Sequence, residues 1–242
     1  MSVEQQPAGL VKLTGTIENY KVTRAEASFM FTDADRTKLG VVAIAAGIAG
    51  LSGPAISTAA YSASAEEDAD YVEFDLDGKP IKGWVWRSPF KEGDAVEVAA
   101  EWRDDHYETA GIARPADRVI ALYPHCSRGK ARHIKNAAKW WALGVMWFSL
   151  AMAVLVLVVF PRRLLGAVFS EPLLVTSAGL YAVFGLMTIS LASKWMPFVR
   201  LTEKICRTLG ISNAGNVDLV ESSKAQRKPD DPGEYGTFYF RY

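Results

Sequence analysis

The residues of this 242-residue chain that could do chemistry are three histidines, two cysteines and one dense run of carboxylates. His106 follows Asp104-Asp105, His125 precedes Cys126, and His133 lies in a basic stretch. A histidine beside a thiol or carboxylate can serve as general base or nucleophile partner, provided the side chains meet and a third group orients the base. Neighbours in an extended segment point to opposite faces, so His125-Cys126 makes a poor dyad. Cys126 and Cys206 form no C-x-x-C and have no histidines at metal-ligand spacing. No G-x-S-x-G, Walker loop or zincin helix occurs. The spacing therefore predicts no catalytic residue, no metal ligand and no cofactor, and the chain reads as a non-enzyme.

Two further clusters carry weaker signals. Residues 66–77 hold seven acids (Glu66, Glu67, Asp68, Asp70, Glu73, Asp75, Asp77) and no base. They could attract a cation or a basic partner, but a solvated strand is the more ordinary account. Trp84, Trp86 and Trp102 could stack bases, yet no basic groove accompanies them and packing explains them better. With 27 basic and 27 acidic residues the formal net charge is zero, so no global field favours nucleic acid.

The elements that must position these residues are of two unlike kinds. Trp140 to Pro161 is 22 residues without a charge, and so is Pro172 to Ser193. At about 1.5 Å per residue, each helix would cover the roughly 30 Å of a bilayer's hydrocarbon. Neither span carries an ionisable side chain, which disfavours ion-coupled transport. Arg128, Lys130, Arg132, Lys135 and Lys139 precede the first span, and Lys194, Arg200, Lys204 and Arg207 follow the second. The connecting loop holds only Arg162 and Arg163. By the positive-inside rule both outer ends are cytoplasmic. Met1 to Gly9 is polar, with no apolar core of a signal peptide behind it. Both cysteines then sit on the cytoplasmic side, where a structural disulfide is not expected.

Upstream the pattern is β. Leu10 to Ile17 is β-prone, with Gly15 as a bulge, and Ala27 to Thr32 returns as a second strand. Val72, Phe74 and Leu76 alternate with acids, and Asp77-Gly78 signals a two-residue hairpin to Ile81–Trp86. Strands follow from Val96, from Tyr107 to Ala113 and from Val119 to Tyr123, so seven short strands predict a small antiparallel barrel of the OB or SH3-like kind. Trp84, Val96, Val98 and Ile120 should face inward. Between the second and third strands, Leu39 to Ala65 is 27 charge-free residues rich in Gly and Ala, broken at Gly53-Pro54. It reads either as one further span or, preferably, as two short helices that enter and return, with Gly40, Gly47, Gly50 and Gly53 permitting close contact. After the spans, Trp195 to Phe198 reads as an interfacial anchor, and Leu201 to Leu209 as a basic amphipathic helix stopped by Gly210. Residues 222–236 are polar and read as disordered or loosely extended, and the four aromatics among the last five residues could add an edge strand to the barrel or touch membrane or a partner.

The chain is thus an α+β membrane protein. A β-barrel domain over residues 9–123 is interrupted by the helical insertion at 39–65. A two-helix transmembrane hairpin with basic flanks occupies 124–210 (spans 140–161 and 172–193), and a polar tail with an aromatic end occupies 211–242.

Three runs also carry a resemblance: Asp70-Tyr71-Val72-Glu73-Phe74-Asp75-Leu76-Asp77-Gly78, Gly83-Trp84-Val85-Trp86-Arg87-Ser88-Pro89-Phe90-Lys91-Glu92-Gly93-Asp94, and Arg114-Pro115-Ala116-Asp117-Arg118 through Gly129. With the paired spans and the terminal Phe240-Arg241-Tyr242, these resemble a proteobacterial family of membrane proteins assigned to type VI secretion as effectors. The resemblance runs from Leu10 to Tyr242 and brings no catalytic residues with it. It implies an inner-membrane, multi-pass protein that acts by membrane insertion or protein interaction, or alternatively an immunity or scaffold protein whose barrel binds a partner. The layout is also similar to NfeD-like membrane proteins, where the barrel is a scaffold. The partners expected are the lipid bilayer and a protein of the secretion system or a cognate effector or immunity protein, without nucleic acid; a homo-oligomer is compatible with this.

Overall fold

The structure, a computed structural model, describes residues 9–27, 29, 67–103, 105–159 and 171–242. The insertion expected at 39–65, most of the strand expected at 27–32 and the loop bearing Arg162 and Arg163 lie outside the described residues. The chain divides into two compact units, one of Met1–Gly129 with Pro197–Tyr242 and one of Lys130–Met196.

The first unit is built on strands β1 (Val11–Ala27), β2 (Glu67–Leu76), β3 (Lys79–Val85), β4 (Ala95–Arg103), β5 (His106–Arg114), β6 (Val119–Leu122) and β7 (Phe240–Arg241). The strands pair in the order β3-β2-β1-β4-β5-β6-β7, and a parallel β3–β5 contact closes the first five into a barrel. That circuit, β1-β2-β3-β5-β4, is an OB-type arrangement.

β1 runs well past Ile17, where the first expected strand ends. It is one strand of 17 residues whose first half pairs with β4 (Val11↔Ala100 to Thr16↔Ala95) and whose second half pairs with β2 (Ile17↔Leu76 to Ala27↔Glu67). The hand-over occurs at an irregularity between Glu18 and Lys21, where Asn19 takes φ +55°. The extra residues bend the strand so that it can serve both neighbours. Gly15, expected as the bulge, lies in regular register with Val96. What requires glycine there is Asp77: a Cβ would stand 2.6 Å from its Oδ2, and its Oδ1 accepts from the Thr16 N–H at 3.2 Å. The Asp77-Gly78 hairpin is as expected, with φ +48° and +77°, the mirror-image turn that matches strand twist.

Inside the barrel lie Ile17, Val72, Phe74, Leu76, Ile81, Val85, Val96, Val98 and Ile112. Trp84 is not among them. Ile81 and Val85 set the phase of β3, so Trp84 stands on the outer face, with ring centroids 5.1 Å from Tyr71 and 5.4 Å from Phe29. Ile120 is fully buried, but its neighbours Val119 and Ala121 take the barrel core and Ile120 turns to the other side of the sheet.

Among the described residues four α-helices follow: α1 (Lys130–Val159), α2 (Glu171–Lys194), α3 (Met196–Thr208) and α4 (Leu219–Ala225). The amphipathic α3 belongs to the barrel unit and buries Phe198, Leu201, Ile205 and Cys206. A Cβ at Gly111 would meet Leu122 at 2.8 Å and Ile205 at 2.9 Å, so β5, β6 and α3 meet where only glycine leaves room. Phe198, expected at a membrane interface, is instead 2% exposed in this layer. Gly210 ends α3 at φ +77°, with Ile211 N–H donating to Cys206 O (2.8 Å) and Gly210 N–H to Arg207 O (3.1 Å), the paired bonds of a Schellman stop. The tail is folded rather than loosely extended. α4 is capped by Asp218, Tyr235 and Tyr239 enter the barrel core, and Phe240-Arg241 adds the edge strand β7 to β6.

Candidate functional site

The side chains singled out for chemistry are dispersed, and each has a local partner. His106 Nδ1 lies 2.7 Å from Asp105 Oδ1 at the exposed β4–β5 turn, and that hydrogen bond holds the Asp105 carboxyl below its ordinary range. His125 takes φ +65° and packs between Trp86 (5.1 Å, tilted) and Phe198 (5.0 Å, edge-on), with Nε2 3.3 Å from Glu67. Burial lowers its pKa, and the Glu67 carboxylate opposes the shift. Cys126 is fully buried and its thiol points to Phe198 O at 3.5 Å rather than to His125. Burial pushes the Cys126 thiol far up and the Cys206 thiol to about 12, so both are held protonated and unreactive.

The acids of 66–77 do not act together. Asp70 is buried at one end of the barrel and accepts from Arg24 Nε (3.1 Å) and Ser88 N–H (2.9 Å), with Arg87 Nη1 at 3.4 Å. Glu73 faces Lys21 and Lys82, each at 3.6 Å, on the barrel's exterior. The three tryptophans likewise go to separate partners: Trp84 to Tyr71 and Phe29, Trp86 to His125 and Phe238, Trp102 to Tyr107. Among the described residues, no group of three or more histidine, cysteine or carboxylate side chains is arranged to hold a metal ion.

The unusual surface is on the helix pair. α1 has 30 residues and α2 has 24, about 45 and 36 Å of helix. They run antiparallel: the His133 Nε2–H donates to Ala192 O at 3.0 Å near one end, the Phe148 and Phe184 rings lie 5.9 Å apart, and the Ser149 and Tyr181 hydroxyls bond farther along. Ser149, Thr188 and Ser193 also return hydrogen bonds to carbonyls of their own helices, which leaves no need for water there. The remaining faces are apolar and bare, with Trp147 at 63%, Val158 at 73%, Leu186 at 68% and Ile189 at 67% exposure. Soluble monomers rarely leave contiguous apolar patches of this kind open. Among the described residues, one helix, Lys130–Val156, is long and apolar enough to cross a membrane.

Between α1 and α2 is a cavity of about 550 Å³. Trp140, Trp141, Phe148, Phe184 and Trp195 form its walls, and His133 and Asn136 line it toward the start of α1. Gly144 opens it, since a Cβ there would meet nothing within 4 Å. Sequence reading had marked Trp195 as an anchor but not this cavity; its only signal was the clustering of tryptophans at the span ends. Comparison of the chain with family models, with characterised proteins and with solved structures finds no match.

Proposed function

We propose that this is an integral, multi-pass membrane protein in which α1 and α2 form a transmembrane hairpin, both of whose ends are cytoplasmic. It carries its folded barrel on that face and acts by membrane insertion and protein contact rather than by catalysis. The observation that carries this is where the chain leaves and rejoins the barrel unit. Cys126 touches Phe198 through the 3.5 Å thiol–carbonyl contact. Residues 127–129 are tied to the segment after α3, with Leu219 N–H donating to Ser127 O (3.0 Å), Gly129 N–H to Val217 O (2.9 Å) and Arg128 Nε to Asp218 (3.1 Å). A domain whose departure and return points touch lies on one side of a bilayer, so residues 130–196 must cross an even number of times. If α1 crosses, α2 crosses back.

Within type VI secretion, the setting indicated by the sequence resemblance, a resident immunity or scaffold role is favoured by this clasped architecture, in which the anchor is an insertion in a stably folded domain. An effector that acts by inserting into a target membrane is the second reading, favoured by the resemblance and by spans free of ionisable groups. Expression and deletion separate them. A resident protector remains with the membrane after carbonate washing, is harmless in either compartment, and its deletion sensitises cells to their siblings. Collapse of the membrane potential on expression with periplasmic access would instead assign the effector role.

A further inference from the structure

We infer that the cavity between α1 and α2 binds a lipid-soluble quinone, its ring held among the tryptophans beside Asn136 and its apolar tail running toward Phe148. The inference rests on the membrane-hairpin reading and adds a ligand to it.

The lining is the first observation. The cavity holds about 550 Å³, within the range of a small-molecule site, and none of its lining residues is Lys, Arg, Asp or Glu. Such a wall suits an uncharged ligand. The lining is also graded along α1. His133 and Asn136 stand at the end where the His133 Nε2–H reaches Ala192 O, Trp140 and Trp141 follow one turn on, and Gly144, Val145 and Phe148 complete the wall. From Asn136 to Phe148 is about 18 Å of helix, close to one leaflet's share, roughly 15 Å, of the hydrocarbon core. A ligand seated here has its head at the membrane interface and its tail among the acyl chains.

The second observation is the Asn136 amide. It lines an otherwise largely apolar cavity and has no hydrogen-bond partner among the described residues. A carboxamide offers two N–H donors and a carbonyl acceptor, and leaving them unpaired beside hydrocarbon costs free energy. A ligand carbonyl at this point accepts from the amide and removes that cost. Trp140, Trp141 and Trp195 border the same end. Indoles of an ordinary interfacial belt face the headgroups, whereas these three line a cavity, where their flat faces suit offset stacking on a planar ring. Past them Gly144 leaves room, since a Cβ there would meet nothing within 4 Å, and Phe148 and Phe184 give an apolar wall to a tail. An acyl chain alone would leave the amide and the indoles unused. A small water-soluble ring would leave the deep end empty. A carbonyl-bearing ring on an apolar tail uses all three levels.

The full-length chain is reconstituted in phosphatidylcholine vesicles and titrated with decylubiquinone while tryptophan fluorescence is followed. Quinone dissolved in the bilayer quenches in proportion to its amount, and a bound ring adds a saturable component, which is expected in the wild type. Gly144→Phe should fill the cavity and abolish that component, with helicity and integration unchanged. Asn136→Leu should weaken the apparent affinity about fivefold, the loss of one hydrogen bond, and leave the proportional component as it was. Monodecanoylglycerol, which has a tail and an ester carbonyl but no ring, should not displace the quinone at equal concentration. Displacement by it would mean a slot for any chain and overturns the inference. Purely proportional quenching in the integrated wild type, or a saturable component unchanged in both variants, also overturns it and leaves the hairpin standing. Failure to integrate into vesicles at all would remove the hairpin reading together with the ligand.

Discussion

Asp70 ties four parts of the chain together at one end of the barrel. Its carboxylate is 2% exposed and holds Arg24 of β1, Arg87 and the Ser88 N–H, while Arg87 also lies 3.2 Å from Glu234 and 5.3 Å over the Phe238 ring of the tail. Arg24 is half exposed, so its share is small. Arg87 is not, and removing its buried partner should cost about 3–5 kcal/mol. Asp70→Asn is therefore expected to lower the melting temperature by roughly 6–20 °C, read by differential scanning fluorimetry; an unchanged melt would contradict the network. His125 supplies a pH dependence at the same scale. Its folded pKa lies below the ordinary 6.5, chiefly through burial, so the unfolded chain takes up the proton first as pH falls. The stabilisation is complete above about pH 6.5 and is lost as pH drops from there through the folded value. His125→Asn, which tolerates the left-handed backbone at this position, should flatten the melting-temperature slope below pH 6.5. A slope identical to wild type would assign the acid sensitivity to other groups.

Among the elements, the C-terminal segment departs furthest from its sequence. Its polar composition between Ser222 and Gly236 conceals Tyr235, and beyond it Tyr239 and Phe240 are likewise buried in the barrel unit. Each large buried aromatic is worth about 3–5 kcal/mol, so a chain ending at Glu234 loses as much as a typical domain's whole stability of about 5–15 kcal/mol. Such a truncation should yield no folded barrel by near-ultraviolet circular dichroism; a folded truncated protein would contradict this packing. The edge strand at the aromatic end was legible, but the burial of Tyr235 and Tyr239 was not, because the core they fill is made by distant strands. β1 runs past its expected end at Ile17 because a bent strand changes neighbours between Glu18 and Lys21, a long-range pairing that local pattern does not show. The phase of β3 was misread because glycine occupies an inward position: at Gly83 a Cβ would stand 2.6 Å from Thr109 O, where β3 closes on β5. What depends on local pattern was legible, namely the Asp77-Gly78 turn, the alternation of Val72, Phe74 and Leu76, and the long apolar helix. The cavity between α1 and α2 was not, since its walls meet only once Phe148 faces Phe184 and His133 reaches Ala192.

At the scale of the whole molecule, one folded unit gathers residues from both sides of an apolar helix pair. That arrangement puts the basic clusters of the sequence at the two chain junctions between the units. It also makes the membrane claim sharper than hydropathy alone could, because an odd number of crossings between Gly129 and Pro197 would tear apart the contacts of Cys126 with Phe198 and of Ser127 with Leu219. A topology reporter placed after Tyr242 and, separately, at Gly166 tests this most directly. The account predicts a cytoplasmic signal after Tyr242 and a periplasmic signal at Gly166. Signals from the same side at both positions would contradict the hairpin.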